Sequence, residues 1–254
     1  MNASRMCLSG MAAAGLMAAV SAPAHATLQI AIDVNGSTFF CGDNMSCDTS
    51  SATGVVQIGD QLLDGVLVHG SIQLSTGTPA NPGQDLIDTS SLSIVNLSGA
   101  TRTAEVAISD TDFSAPVRSF HLTGSGSWVN AGGSSLTLGW YDDPANAQGA
   151  NLGPGGVPTT PGDLLGTFTS AGTDPLHSFS TDQTGLVSDS GPFSMTLWAD
   201  GTLTPGAALL NRGEGEVKLL AIPELSTWAM VALGFVGLGF VGFRQTRPTP
   251  RSLA

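Results

Sequence analysis

From Thr27 to Ala221 the chain runs in short alternating stretches of apolar and polar residues, each cut off by Gly, Asn, Asp or Pro. Alternation with a period of two sends successive side chains to opposite faces of a strand. Nothing in this body sustains the period of an amphipathic helix. The pattern predicts an all-β body: an antiparallel, β-sandwich-like fold whose wet faces carry the many Ser, Thr and Gln at strand positions. Leu28–Val34 alternates into Asn35-Gly36, a strong hairpin signal. Further strands are predicted at Gly54–Ile58, Gly65–His69, Ser71–Leu74, Leu92–Leu97, Thr103–Ser109, Ser119–Thr123 and Ser125–Val129. The rest are Ser135–Tyr141, Leu164–Phe168, His177–Ser180, Phe193–Trp198 and Glu216–Ile222. Pro144–Pro161 is rich in Gly, Pro and Asn and reads as a long surface loop, or as a linker between two subdomains.

Two ends fall outside this pattern. Residues 1–26 have the order of a signal peptide: Arg5, an apolar run to Val20, then Pro23 ahead of the small residues Ala24 and Ala26. Cleavage after Ala26 leaves Thr27 as the first mature residue. The rival reading is a buried N-terminal helix, but no acidic residue precedes Asp33. At the other end, residues 222–254 form a tail. Leu225–Phe243 holds 19 uncharged residues, against the roughly 20 that cross a bilayer core. Trp228 stands where an amphipathic ring suits an interface, and Arg244, Arg247 and Arg251 flank the side that stays cytoplasmic. This predicts a transmembrane helix over 225–243 that projects from the β body. A buried core helix is the alternative.

The tail resembles the PEP-CTERM sorting signal, which joins a Pro-Glu-Pro-Ser-Thr-Trp-Ala type motif, a short apolar helix and a terminal arginine cluster. Pro223, Glu224, Ser226, Thr227, Trp228 and Ala229 match it, as do the Gly-Phe-Val-Gly-Phe243 helix end, Arg244 and Arg247. Leu225 stands where the family has its second proline. The resemblance covers about the last thirty residues. It implies processing by an exosortase-type protease after a transient stay in the inner membrane of a Gram-negative bacterium. Release to the cell surface or the exopolysaccharide matrix would follow. The same tail follows unrelated bodies, some described as ice-binding, so it is an address and names no activity. The physical logic is local. Proline keeps Ile222 extended so that the segment can enter a protease cleft, and Glu224 offers one charge at that depth.

Charge excludes one class. The body carries 4 basic and 19 acidic residues, a formal −15. Nucleic-acid binding needs clustered Lys and Arg, which are missing. Cys7 leaves with the signal, and Cys41 and Cys47 remain. In an oxidising compartment a pair with five residues between them can close a disulfide across a turn. A metal site is the rival, although no His or further Cys lies near in sequence.

Catalytic motifs are missing. His69, His121 and His177 are each alone in their segments, and no phosphate loop, nucleophile elbow or His-Glu-x-x-His occurs. Asp110 and Asp112 are weak candidates for Ca2+, with a solvated Asp-capped turn as the plainer reading. Trp128, Trp140, Tyr141 and Trp198 either line a sugar-binding face or fill a sandwich core. The sequence thus points to an exported, non-catalytic surface or matrix protein with exopolysaccharide as a partner and no cofactor. An extracellular hydrolase or carbohydrate-binding protein bearing the same tail is the alternative.

Overall fold

The computed structural model describes residues 28–75, 84–114, 118–187 and 192–219. The signal residues Ala24 and Ala26 lie outside them. So do Pro223, Glu224, Leu225, Ser226, Thr227 and Trp228, the 225–243 span, and Arg244, Arg247 and Arg251. Among the described residues no helix is long and apolar enough to cross a membrane.

The body is two antiparallel six-stranded sheets facing each other. Sheet A contains β1 (Gln29–Val34), β2 (Ser37–Gly42), β6 (Arg102–Ser114), β8 (Ser135–Asp143), β9 (Asp163–Ala171) and β11 (Pro192–Leu203), in the order β2-β1-β6-β11-β8-β9. Sheet B contains β3 (Val55–Leu63), β4 (Val66–Ser75), β5 (Gln84–Asn96), β7 (Arg118–Val129), β10 (Leu176–Val187) and β12 (Ala208–Leu219), in the order β10-β7-β12-β5-β4-β3. The expected all-β sandwich is therefore the observed one. The Asn35-Gly36 hairpin is present, with both residues at positive φ (48° and 88°), as a turn matched to the twist of its strands requires. Cys41 and Cys47 are joined, their Cα atoms 5.9 Å apart. A loop this small contributes about 2 kcal/mol by chain entropy.

One apolar core runs between the sheets. Ile30, Ile32, Val106, Ile108, Leu136 and Leu138 enter it from sheet A, and Val56, Val68, Ile87, Ile94, Leu122 and Leu209 from sheet B. Two indoles lie inside. Trp128 is fully buried and its Nε1–H donates to Ser170 Oγ (3.1 Å), while Trp140 is 2 % exposed and donates to the Glu214 carbonyl (3.1 Å). Buried indoles need such partners.

Trp140 explains much of the glycine in sheet B. A Cβ on Gly124 would stand 2.8 Å from Leu138 Cδ1 and 3.5 Å from the Trp140 ring. One on Gly215 would stand 3.2 Å from Leu197 Cδ2 and 3.5 Å from Trp140 Cδ1. These glycines floor a recess that receives the indole. The observed strands also differ from the sequence-based ones. Ser119–Thr123 and Ser125–Val129 form the single strand β7, and Gly65–His69 and Ser71–Leu74 form the single strand β4. Similarly β12 starts at Ala208 and β5 at Gln84, well before the expected Glu216 and Leu92. Glycine inside β7 and β12 marks room for a facing side chain, whereas the sequence pattern reads it as a turn.

The Pro144–Pro161 segment is a loop on sheet A. Asp143 holds its start by accepting from Ala145 N–H and Ala147 N–H, both at 3.0 Å. Gly149 N–H reaches Ser109 Oγ (3.0 Å) and Ser194 Oγ donates to the Ala147 carbonyl (2.6 Å). Its far end folds on itself, with Thr159 N–H donating to the Asn151 carbonyl (3.0 Å).

Only three residues separate β6, ending at Ser114, from β7, starting at Arg118. Gln29 opposes Ser109 near the end of β6, and Leu219 opposes Arg118. The described chain thus enters and leaves at the same end of the sandwich. It leaves along β12, which is bonded on both sides, to β5 and to β7.

Candidate functional site

The four aromatic residues singled out in the sequence separate into two pairs. Trp128 and Trp140 are core, as above. Trp198 and Tyr141 are half-buried and belong to the outer face of sheet A. The registers show why. Inner positions run Val106, Ala199 and Leu138 across β6, β11 and β8, so the next row, Ala107, Trp198 and Gly139, faces outward. Tyr141 follows two residues later on β8. Gly139 is essential to the arrangement, because a Cβ there would sit 2.9 Å from Tyr141 Cε2 and 3.4 Å from Trp198 Cε3. Tyr141 therefore lies over the glycine and Trp198 borders it.

The neighbouring outward row is polar. It reads Asp33, Glu105, Asp200, Thr137 and Thr169 across β1, β6, β11, β8 and β9. Three carboxylates thus stand in line. Burial pushes the Glu105 carboxyl above its ordinary value, and the charges of Asp200 and Asp33 push it further. Asp200 is raised by burial. On the other side of the aromatic row, the loop covers Ser109 and Thr196, which are buried and hydrogen-bonded to each other at 3.0 Å. Thr167, on β9 beside Gly139, is exposed. The surface is thus an open patch of two rings, hydroxyls and carboxylates, with the loop on one flank.

Asp110 and Asp112 behave differently from each other. Asp110 is buried at the end of the sandwich and its Oδ1 accepts from Thr111 N–H (2.8 Å). Asp112 is exposed at positive φ (65°) and its Oδ1 accepts from Asn146 Nδ2 (2.7 Å). Burial pushes the Asp110 carboxyl up to about 7, against a pull from the Thr111 N–H and with help from Asp112 and Asp43. The folded state then keeps a proton that the unfolded chain releases from about pH 4 upward, so stability falls as pH rises from about 4 to about 7. In Asp110→Asn this fall should be shallower, with the variant the more stable of the two at pH 8. Urea midpoints at pH 4.5, 6 and 8 check this, and equal pH dependence in both proteins would contradict it.

The histidines separate as well. His69 Nδ1 lies 3.4 Å from Asp60 Oδ1, both exposed. His121 joins Glu214 and Glu216, and among the described residues these three form a set close enough to share one metal ion. Sequence reading treated His121 as isolated because its neighbours come from other strands. The one signal was Gly213-Glu214-Gly215-Glu216, whose alternation puts both glutamates on the same face.

No protein-family model and no curated protein matches the chain. Solved structures give distant likenesses. A carbohydrate-binding module in complex with β-1,4-galactotriose is 12% identical, with 61% of this chain and 89% of that one covered and a TM-score of 0.29. The enzymatically active domain of a bacteriophage CBA120 tailspike protein is 10% identical, covering 62% and 18% with a TM-score of 0.32. A carbohydrate-binding module from the β-sandwich superfamily is 12% identical, covering 69% and 65% with a TM-score of 0.27. Likenesses this low carry no inference about function.

Proposed function

We propose that the chain is an exported surface or exopolysaccharide-matrix protein whose sandwich holds a polysaccharide on the outer face of sheet A without cleaving it. The observation that carries the reading is Trp198 and Tyr141, both half-buried and both bordering Gly139 on the outer face of sheet A. Aromatic rings stack on the apolar faces of sugars, and the nearby Thr137, Thr167, Asp200 and Glu105 supply partners for sugar hydroxyls. A surplus of carboxylates keeps the body off nucleic acid. Export and sorting are supported by the two chain ends: the Arg5-led signal, and the Pro223-Glu224 tail with its arginines, which would be cut by an exosortase-type protease.

The test is retention on gels that contain the producing cell's own exopolysaccharide. The exported protein should be retarded. Trp198→Ala and Tyr141→Ala should each weaken binding about tenfold, the loss of one stacked ring at 1–3 kcal/mol by analogy with base stacking. Unchanged retardation in the double variant would sink the assignment of the face. Appearance of shortened sugar chains would replace the binding reading with a hydrolase, and would direct attention to the Glu105–Asp200 pair.

A further inference from the structure

The outer face of sheet B holds a second constellation that a glycan-binding role does not use. His121 on β7 and Glu214 and Glu216 on β12 each offer a ligand atom, all within 4.8 Å of one another. The residues come together because β7 and β12 are paired so that His121 opposes Glu216 and Thr123 opposes Glu214. Both glutamates share a face because one residue, Gly215, separates them.

We propose that His121, Glu214 and Glu216 bind one divalent transition-metal ion, of which Zn2+ is the type, through one imidazole nitrogen and two carboxylates. Two features point to a metal ion over a simple ion pair. First, the two nitrogens of His121 have different surroundings. Nδ1 faces Glu216 Oε2 at 3.6 Å, while Nε2 lies 3.2 Å from Asp182 Oδ1 on β10. In the tautomer with its proton on Nε2, His121 donates to Asp182 and turns the Nδ1 lone pair toward Glu216. A carboxylate behind a histidine in this way fixes the tautomer that a metal requires. Second, Asp88 opposes Glu214 across the β5–β12 ladder, is 7% exposed, and has an Oδ1 buried without a hydrogen-bond partner. A buried carboxylate oxygen left without a partner across the ladder from Glu214 marks a place where positive charge is missing. Arg212 meets only part of that need: it reaches the other oxygen, Oδ2, at 3.4 Å, with its own side chain 61% exposed.

The donor set selects the metal. One imidazole with two carboxylates suits Zn2+ and its transition-metal neighbours, whereas Ca2+ prefers an all-oxygen shell. Three protein ligands also leave a coordination position open. The site is independent of the aromatic face of sheet A, so either assignment can fail alone.

The experiment is calorimetric titration of the exported protein with ZnCl2 at pH 7.5, in 5 mM CaCl2 and after treatment with chelator. One Zn2+ per chain should bind in the presence of the excess Ca2+. His121→Ala and Glu214→Gln should each abolish the saturable step, and Asp182→Asn should weaken it about 10–100-fold, as expected for a supporting carboxylate. His69→Ala, which removes the other histidine–aspartate pair, should bind as the parent does. Circular dichroism shows which variants are folded. Should His121→Ala fail to fold, Glu214→Gln and Asp182→Asn give the answer. Absence of a saturable step in the parent would overturn the proposal. So would displacement of Zn2+ by Ca2+, or full binding by a folded Glu214→Gln.

Discussion

Cells that make the chain without Leu225 to Ala254 are expected to release the whole body into the periplasm, with none of it sorted to the surface. The full-length chain should be held in the inner membrane and then lose its tail. The prediction rests on three features in fixed order: Pro223-Glu224, the uncharged Leu225–Phe243 stretch and the arginines at 244, 247 and 251. A milder change makes the same point without removing residues. Gly237→Asp with Val241→Asp places two charges in the apolar stretch, each costing about 2.5–3.5 kcal/mol on insertion scales. Together they should cut membrane insertion by several orders of magnitude. Replacing Arg244 alone should do much less, because two arginines remain. Fractionation followed by immunoblotting reads the outcome. Surface display that survives the deletion would refute the sorting role outright.

The second large effect is inside the sandwich. Trp140→Ala should cost about 3–5 kcal/mol, from the lost indole contacts and the cavity left behind. The Glu214 carbonyl, which accepts the indole N–H at 3.1 Å, would lose that partner as well. In a domain of this size that shifts the melting temperature down by about 6–20 °C. Trp198→Ala is the matched control. It removes the same side chain from a half-buried outer position and should cost about 1 kcal/mol. Equal melting temperatures for the two variants would mean that the indoles have been assigned to the wrong faces.

The fold class was legible because the period-two pattern and the turn residues agree, as at Leu28–Val34 into Asn35-Gly36. The Cys41–Cys47 bond was legible because two cysteines close together across a turn, with no His or further Cys nearby, have few other options. Strand lengths were less so. Gly124 and Gly215 carry the same local signal whether they end a strand or make space inside one, and the deciding partner, Trp140, lies on the other sheet. For the same reason the four aromatics stayed undivided in sequence. Trp140 and Tyr141 are adjacent, and only the pairing register shows that one points to the core and the other outward. His121 carried no local clue of its own, since its companions Glu216 and Asp182 stand 95 and 61 positions away in the chain.

The position of β12 has a mechanical consequence. Any tension passed to the body through the residues after Leu219 acts along a central strand. That strand is laddered to β7 from Ala208 to Leu219 and to β5 over much of the same length. Such a load shears many hydrogen bonds at once, whereas a pull on an edge strand such as β10 would unzip them singly. Failure under force is therefore expected to be abrupt. The body should resist until β12 slides free, and then lose sheet B as a unit, with a lifetime under load set by the unfolding rate and not by equilibrium stability.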